Sequence, residues 1–290
     1  EIRFCDWSSD VCSSDLPYNE ALSVSKPSPV YDDQKAIYYD LLSRLDAAIG
    51  KINTTSAGFG SADKIYNGNM SSWKKFANSI KLQMAMTVAD DDNAKAKAAV
   101  ESAVQAGVFT SNTDNATFKY LTAAPNNNPT YDFFYTQNRE EDFVAASTII
   151  GVMKNLDDTR VDNYFTEDDA GGYSGGNPGE VSDWVAFSKP APGILVTDYP
   201  AVLLDYAEVE FLLAEAVQRG YAVGGTATEH YNQAITASIL FWGGTAAEVT
   251  TYLAQPAVAF DAADWKQKIG TQKWRSEEHT SELQSQNRIS

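Results

Sequence analysis

The sequence predicts a mainly α-helical protein in which stacked antiparallel helix pairs carry long irregular loops. Several segments repeat apolar residues at helical spacing. Many of these segments begin at a capping residue or end at glycine. Between them lie stretches rich in Gly, Asp and Pro. No repeat of fixed period is evident, yet the neighbouring segments 200–220 and 226–240 indicate a stack of helix pairs.

The first helix is predicted over Tyr31–Gly50. Its apolar residues fall on one side of a helix, namely Ile37, Leu41, Leu42, Leu45 and Ile49. Gly50 suits the left-handed position that often ends a helix. The Gly/Ser-rich stretch that follows, "NTTSAGFGSADKIYNGN", is predicted to be a loop.

A second helix is predicted over Ser71–Asp90, with Ser71 or Ser72 as its N-cap. An apolar stripe follows its length through Trp73, Phe76, Ile80, Met84 and Val88. The alanine-rich stretch Asp92–Ala106 predicts a third helix that ends at Gly107.

The middle of the chain is less regular. Residues 108–141 contain one short predicted strand in "NATFKYL" and an Asn/Pro/aromatic loop, "APNNNPTYDFFYTQNR". A helix is predicted over Asp142–Leu156. The following residues 157–193 form a long loop rich in Gly, Asp and Pro, of a kind that is usually functional or mobile inside a compact domain.

The strongest helix prediction is Pro200–Gly220, whose apolar residues cover most of its circumference and therefore indicate burial. Thr226 and Glu229 have the spacing of a capping box, so they predict the start of the next helix, which runs to about residue 240. Asp261 and Asp264 offer a similar start for a last helix.

The two ends of the chain do not read as natural protein sequence. Residues 275–290 can be back-translated into DNA whose complementary strand, in a shifted frame, encodes residues 1–16. This duplex resembles a sequencing adapter, so both ends are excluded from the fold as artefacts. Cys5 and Cys12 are excluded with them. The remaining part, 17–274, is expected to be an internal fragment that lacks its natural start and end.

Composition argues against several classes of partner. The chain has 39 acidic and 22 basic side chains, a net charge of −17. Such a chain has no basic stripe to neutralise nucleic-acid phosphates, and it does not favour docking on anionic lipid. No apolar run is long enough to span a bilayer.

Four stretches together resemble the SusD/RagB family of surface nutrient-binding lipoproteins, and in particular its SusD-like group from Bacteroidetes. These stretches are "DYPAVLLDYAEVEFLLAEAVQRGY", "NMSSWKKFANSIKLQMAMTVAD", "STIIGVMKNLDDTRVDNYF" and "ITASILFWG". The resemblance covers most of Tyr31–Trp274. It implies a TPR-like helical scaffold with a ligand-binding region built from loops and extra helices.

The resemblance also implies a location and a partner. Members sit on the outer membrane through a lipidated N-terminal cysteine and cover a TonB-dependent, SusC-like transporter, to which they deliver glycans or peptides. The predicted function is therefore non-catalytic capture of oligosaccharides for import. A peptide-binding member of the family and a helical interaction scaffold without a small ligand are the alternatives. The anchor region is expected to lie outside this fragment.

The sequence offers little for catalysis, so the chain is predicted not to be an enzyme and to need no cofactor. Outside the excluded ends, His230 is the one histidine, and it falls on a predicted helix. Glu208, Glu210 and Glu215 follow one another along another helix, where a buried carboxylate is expected to pair or to cap a neighbour. The sequence has no nucleophile elbow, Walker loop or His/Cys metal cluster.

Two acidic stretches leave structural calcium open. They are "DDTRVDNY" and "EDDAGG", which offer the oxygen ligands that calcium takes. Neither has the EF-hand spacing, and solvated loop charge is the preferred interpretation.

Tyr164, Tyr173 and Trp184 are the predicted ligand-binding residues. An aromatic ring covers the C–H face of a sugar, while Asp or Asn accepts hydrogen bonds from its hydroxyl groups. All three residues lie in the long loop, which is where such rings would be exposed. The alternative is that the rings fix the loop to the helices. Other aromatic residues on helical stripes are expected in the core, namely Trp73, Phe211 and Trp242.

Overall fold

The computed structural model describes residues 17–21 and 23–285, with side chains described as far as residue 276. The excluded segment 1–16, with Cys5 and Cys12, lies outside the described residues, as does the end of segment 275–290. The chain divides into two compact units, Glu1–Asn53 and Thr54–Ser290.

The first unit contains helix α1, Gln34–Lys51. Asp33 caps it by accepting a hydrogen bond from the backbone N–H of Ala36. Ile37 and Leu42 are the buried residues of this helix. The helix predicted for this region is confirmed, and it begins three residues later than expected because Asp33 provides the cap.

The second unit begins with the helix pair α2, Met70–Thr87, and α3, Asn93–Ala106. The N-cap of α2 is Asn69, not Ser71 or Ser72, because the Asn69 side chain accepts from the N–H groups of both serines. Asp92 caps α3 in the same way, through Lys95 N. Gly107 follows α3 with φ 98°, a left-handed value that favours glycine.

A two-stranded antiparallel ribbon joins the middle of the chain to the next helix. Strand β1, Ala116–Phe118, confirms the predicted strand and pairs with β2, Ala201–Leu204. In this register Phe118 lies opposite Ala201. In the sequence between the two strands lies helix α4, Ser147–Asn155, which begins later than the predicted start at Asp142.

Several short elements lie between the longer helices and strands. They are the 3-10 turns Gly60–Ala62, Asn112–Asp114, Glu140–Asp142, Pro192–Ile194 and Ala262–Asp264, the helical turns Pro129–Tyr131 and Val161–Tyr164, and the π-helix Asp132–Thr136. Most of the long loop 157–193 therefore lacks regular structure, as predicted.

Helix α5 is Tyr206–Gln218, so the predicted helix over Pro200–Gly220 is wrong in its first turn. Residues 201–204 form β2 because β1 offers its backbone as a partner. Asp205 then caps α5 by accepting from Glu208 N, and Asn115 Oδ1 accepts from Tyr206 N at 2.8 Å. These side chains set the start of the helix, with Asp205 as the one residue between it and the strand.

Three helices complete the unit: α6, Ala227–Phe241, α7, Ala246–Leu253, and α8, Trp265–Ser285. The predicted capping box of Thr226 and Glu229 is present at the start of α6. A second capping box, Thr245 with Glu248, starts α7. Helix α8 extends past the end of the credible segment 17–274, whose boundaries stay a prediction.

Helix pairs pack in succession to form the core. Helix α3 lies against α2, α2 against α5, and α5 against both α6 and α8. One apolar cluster fills the space between α2, α3 and α5, and another lies between α5, α6, α7 and α8. Phe211 is fully buried on α5, and Trp73 and Trp242 pack at the borders of clusters, as expected. The mainly α prediction is confirmed. Within the described residues, no helix is both long enough and apolar enough to cross a membrane.

Candidate functional site

The long loop is closed at its base by backbone hydrogen bonds. Thr166 N donates to Lys189 O at 2.8 Å, and Lys189 N donates to the Thr166 hydroxyl at 3.2 Å. One step closer to the helices, Ala191 N donates to Tyr164 O at 2.8 Å. The segment between these residues is therefore held at both ends by the same set of contacts.

A second set of contacts fixes the middle of the loop to the start of α4. Gly176 N donates to Ala145 O at 2.9 Å, and Ser147 N donates to Gly176 O at 2.8 Å. Beside it, a Cβ on Gly175 would lie 2.5 Å from the carbonyl carbon of Ala146. Position 175 therefore requires glycine, since any side chain would push the loop away from α4.

Asp168 organises the turn that precedes Tyr173. Its carboxylate accepts from Ser174 Oγ at 2.6 Å, Gly172 N at 3.1 Å and Ala170 N at 3.0 Å. The hydrogen bond from Ser174 is the main reason that the pKa of Asp168 lies below its usual value. Within the "EDDAGG" stretch, the carboxylate of Asp168 is thus already hydrogen-bonded to protein donors.

The other acidic stretch contains a buried ion pair, which corrects the expectation of solvated loop charge. Asp158 and Arg160 are both buried, with 2.6 Å between Asp158 Oδ2 and Arg160 Nη2. Arg160 Nη1 also donates to Ser238 Oγ on α6 at 2.7 Å. Burial is the largest influence on the pKa of Asp158 and acts to raise it, but the charge and hydrogen bonds of Arg160, together with the charge of Arg275 at 2.8 Å, add up to a lowered pKa. Across residues 17–21 and 23–285, no group of three or more His, Cys, Asp or Glu side chains could hold a metal ion.

Tyr164 is a core residue, which corrects its assignment as a ligand contact. Its side chain is 1% exposed, and its ring meets that of Trp242 edge to face with 4.6 Å between centroids. The turn Val161–Tyr164 points this residue into the cluster beneath α4. The ring therefore fixes the base of the loop, which is the alternative that the sequence left open.

Tyr173 is partly exposed and lies at the edge of the same cluster. Its hydroxyl donates to Asp162 Oδ1 at 2.8 Å, and its carbonyl oxygen accepts from Lys154 Nζ at 3.0 Å. Burial, together with the Asp162 carboxylate, raises the pKa of Tyr173 to about 12. The residue therefore stays neutral and presents an oriented hydroxyl and part of a ring.

Trp184 lies in the outer part of the loop and is also partly exposed. The ammonium nitrogen of Lys189 lies 4.8 Å from the centre of its ring, a cation–π contact that orients the indole. The indole Nε1 is buried and has no hydrogen-bond partner in the described part of the chain. The role of Tyr173 and Trp184 as ligand contacts stays a prediction, and both residues are partly exposed.

A cavity of about 130 Å³ lies elsewhere, beside β2 and the end of α6. Its lining consists of Val202, Leu203, Leu204, Asp205, Glu208, Phe241, Trp242 and Ser276, and neither Tyr173 nor Trp184 contributes. Glu208 at its wall accepts from Gln83 Nε2 at 2.6 Å and lies 3.6 Å from Lys273 Nζ. The acidic wall is therefore partly neutralised by α2 and α8.

The remaining titratable candidates have structural roles, as the sequence predicted. His230 Nδ1 lies 2.6 Å from Glu210 Oε2, and its Nε2 lies 3.1 Å from Gly224 O. Burial acts to lower the pKa of His230, but these hydrogen bonds outweigh it and the pKa is raised. Glu215 accepts from Arg219 Nε at 2.8 Å on the same helix.

Comparison with known proteins assigns the chain to a family. A SusD-like family model, described as starch-binding and associating with the outer membrane, matches residues 9–277. The chain belongs to the SusD-like family. No curated protein sequence matches it.

Solved structures show the same SusD-like fold. A SusD homologue from Bacteroides uniformis ATCC 8492 is 28% identical with a TM-score of 0.82, and the match covers 96% of this chain and 64% of that chain. A chitin-binding SusD homologue from Flavobacterium johnsoniae is 27% identical with a TM-score of 0.80, over 94% of this chain and 63% of that chain. The chain thus spans under two thirds of these relatives. The expected TPR-like helical fold is confirmed.

Sequence reasoning missed a second pair of neighbouring aromatic residues in this SusD-like chain, one exposed and one half-buried. Tyr131 and Tyr135 lie on the helical turns at 129–136, a stretch predicted only as an aromatic-rich loop. Their rings are adjacent, with 5.2 Å between centroids. The spacing of four residues, directly after an Asn-Pro pair, was the available signal, since it places both rings on one side of a helical turn.

Proposed function

We propose that this chain is the scaffold and ligand-binding part of a non-catalytic surface protein that captures oligosaccharides. The observation that carries the proposal is the match of residues 9–277 to a family described as starch-binding. The chitin-binding homologue from Flavobacterium johnsoniae supports glycans as the ligand class.

The proposed contact residues are Tyr173 and Trp184. Each is partly exposed on a loop whose two sides are hydrogen-bonded to each other at the base and whose middle is hydrogen-bonded to the start of α4. A fixed loop loses little conformational freedom on binding, which favours affinity. The ring faces would cover the C–H face of a sugar, while the hydroxyl of Tyr173 and the carboxylate of Asp162 would bond to its hydroxyl groups.

The family's association with the outer membrane supports a role in delivering the captured ligand for import. We propose that the complete protein is held at the cell surface by a lipid anchor. There it would pass its ligand to a TonB-dependent, SusC-like transporter. No cofactor is needed for this role, because capture and release require only reversible contacts.

Titration calorimetry tests the proposal, with maltohexaose and chitohexaose as probes of α-linked and β-linked chains. We expect saturable binding of at least one probe by the chain, and loss of that binding in Trp184→Ala. Substitutions of two loop glycines, Gly175 and Gly172, provide a matched test of whether the position of the loop matters for binding. Gly175→Ala is expected to weaken binding because its Cβ meets α4, whereas Gly172→Ala has open space around its Cβ and should bind normally.

Three results would contradict the proposal. Binding of peptides without binding of either saccharide would assign the chain to the peptide-capturing alternative. Absence of binding with saccharides and peptides would favour an interaction scaffold. Chromatography that detects shortened saccharides after incubation would show catalysis and overturn the non-enzymatic role.

A further inference from the structure

The second candidate surface is the tyrosine pair on residues 129–136. Tyr135 is 42% exposed, and its ring lies 5.2 Å from that of Tyr131 at an angle of 54°. Single exposed apolar side chains are common on protein surfaces and carry no information. Two neighbouring rings held in one fixed arrangement are a different observation, because they form a continuous aromatic surface.

Asn128 fixes the start of this segment. Its Oδ1 accepts from Thr130 N at 2.7 Å and from Tyr131 N at 3.3 Å. Its Nδ2 donates to Tyr199 O at 2.7 Å, and its backbone N donates to Thr197 O at 2.6 Å. Asn128 is itself buried, so the turn that carries Tyr131 is bonded to the segment that leads into β2.

The opposite side of the same segment is packed into the protein. Phe134 is buried and stacks on Phe143 with 4.8 Å between ring centroids. The guanidinium of Arg139 lies 4.4 Å from the ring centre of Phe133. Phe133 and Phe134 therefore serve as anchors, whereas Tyr135 is exposed and Tyr131 is half-buried beside it.

The segment also shows local features that occur at functional sites. Residues Asp132–Thr136 form a π-helix, a rare widened turn that is common near such sites. The same segment carries polar side chains, since Gln137 Nε2 donates to Asp132 Oδ2 at 3.1 Å. A carboxylate and an amide beside aromatic faces match the hydroxyl groups and C–H faces of a sugar.

We propose that Tyr131 and Tyr135 form a second saccharide-contacting surface, in addition to Tyr173 and Trp184, and that it takes a bent glycan chain. This inference rests on the proposed function. Because the two ring planes are tilted by 54°, a ligand in contact with both must change direction between them. A curved α-linked chain does so, whereas a straight β-linked chain lies flat on one ring at a time.

Calorimetry on the full chain with maltohexaose and chitohexaose tests this inference. Tyr135→Ala is expected to weaken maltohexaose binding about tenfold, which is the order expected for loss of one aromatic contact. Tyr135→Phe keeps the ring and should bind nearly as the parent does. Phe59→Ala removes an aromatic residue outside the pair that is even more exposed, at 88%, and should leave binding unchanged. Circular dichroism of each variant checks that the fold is retained.

The outcomes separate this inference from the proposed function. If the parent binds neither saccharide, both fail. If it binds and Trp184→Ala weakens it, but Tyr131→Ala and Tyr135→Ala match the parent, the second surface is refuted and the function stands. A loss confined to chitohexaose would overturn the preference for a bent chain.

Discussion

Asp205→Asn tests whether the cap of α5 carries a buried charge. Asp205 is 8% exposed and its Oδ1 accepts from Glu208 N at 2.7 Å. Burial raises its pKa from 3.8 to about 7, and the charge of Glu208 acts in the same direction. Asparagine is as good an N-cap as aspartate, so the substitution keeps the hydrogen bond and removes the charge.

The sign and size of the effect follow from proton linkage. Between the unfolded pKa and the folded pKa, the folded state binds the proton more tightly, so the Asp205 chain loses stability as pH rises through this interval. The displacement from 3.8 to about 7 corresponds to about 4 kcal/mol at 1.36 kcal/mol per unit. Asp205→Asn escapes this loss. Its stability relative to the parent should therefore increase by about 2–3 kcal/mol between about pH 5 and about pH 8.

Urea unfolding of both proteins at the two pH values measures this difference, because other titrating groups cancel in the comparison. Asp205→Ala is the control. It loses the cap as well as the charge, so it should lie about 1 kcal/mol below Asp205→Asn at both pH values. An advantage of Asp205→Asn that is equal at both pH values, or that reverses at high pH, would refute the reasoning, since it would mean that the carboxylate is not destabilised by burial.

Three further predictions concern stability and are measured in the same urea assay. Asp158→Leu leaves the guanidinium groups of Arg160 and Arg275 buried without their shared carboxylate and should cost about 3–5 kcal/mol; a loss below about 1 kcal/mol would contradict the buried ion pair. Thr226→Ala removes the capping box of α6 and should cost about 1 kcal/mol, whereas Thr226→Ser should cost little. His230 has a raised pKa, so its pairing with Glu210 stabilises the fold below the unfolded pKa and is lost as pH rises through the folded value. His230→Gln should therefore cost more at about pH 5 than at about pH 9, and a constant cost would argue that the imidazole is neutral.

Helices were predictable where the sequence carries both periodicity and a cap. Thr226 and Glu229 gave the start of α6 correctly because a capping box is a local feature. The start of α5 was not predictable in this way. The apolar run in "AVLLDY" is compatible with a strand or with a helix. The strand forms because β1 pairs with it, and the helix begins where Asn115, 91 residues earlier than Tyr206, accepts from Tyr206 N.

The candidate site was likewise only partly predictable from the sequence. Residue types identified the long loop, but not which rings would face outward. Tyr164 follows a helical turn that directs it inward, whereas Tyr173 and Trp184 lie beyond the base contacts of the loop. Tyr135 is exposed because Phe133 and Phe134 occupy the interior side of the segment, and this division depends on Phe143 and Arg139 from later in the chain.

The contacts between Thr166 and Lys189 have an evolutionary consequence. They close the loop near its base, and the far stretch around Val181 is exposed to solvent. Doubling the length of a closed loop costs only about 0.6 kcal/mol in closure entropy. Insertions and deletions in this stretch can thus accumulate without disturbing the helices, so the length of the loop can diverge on an unchanged scaffold.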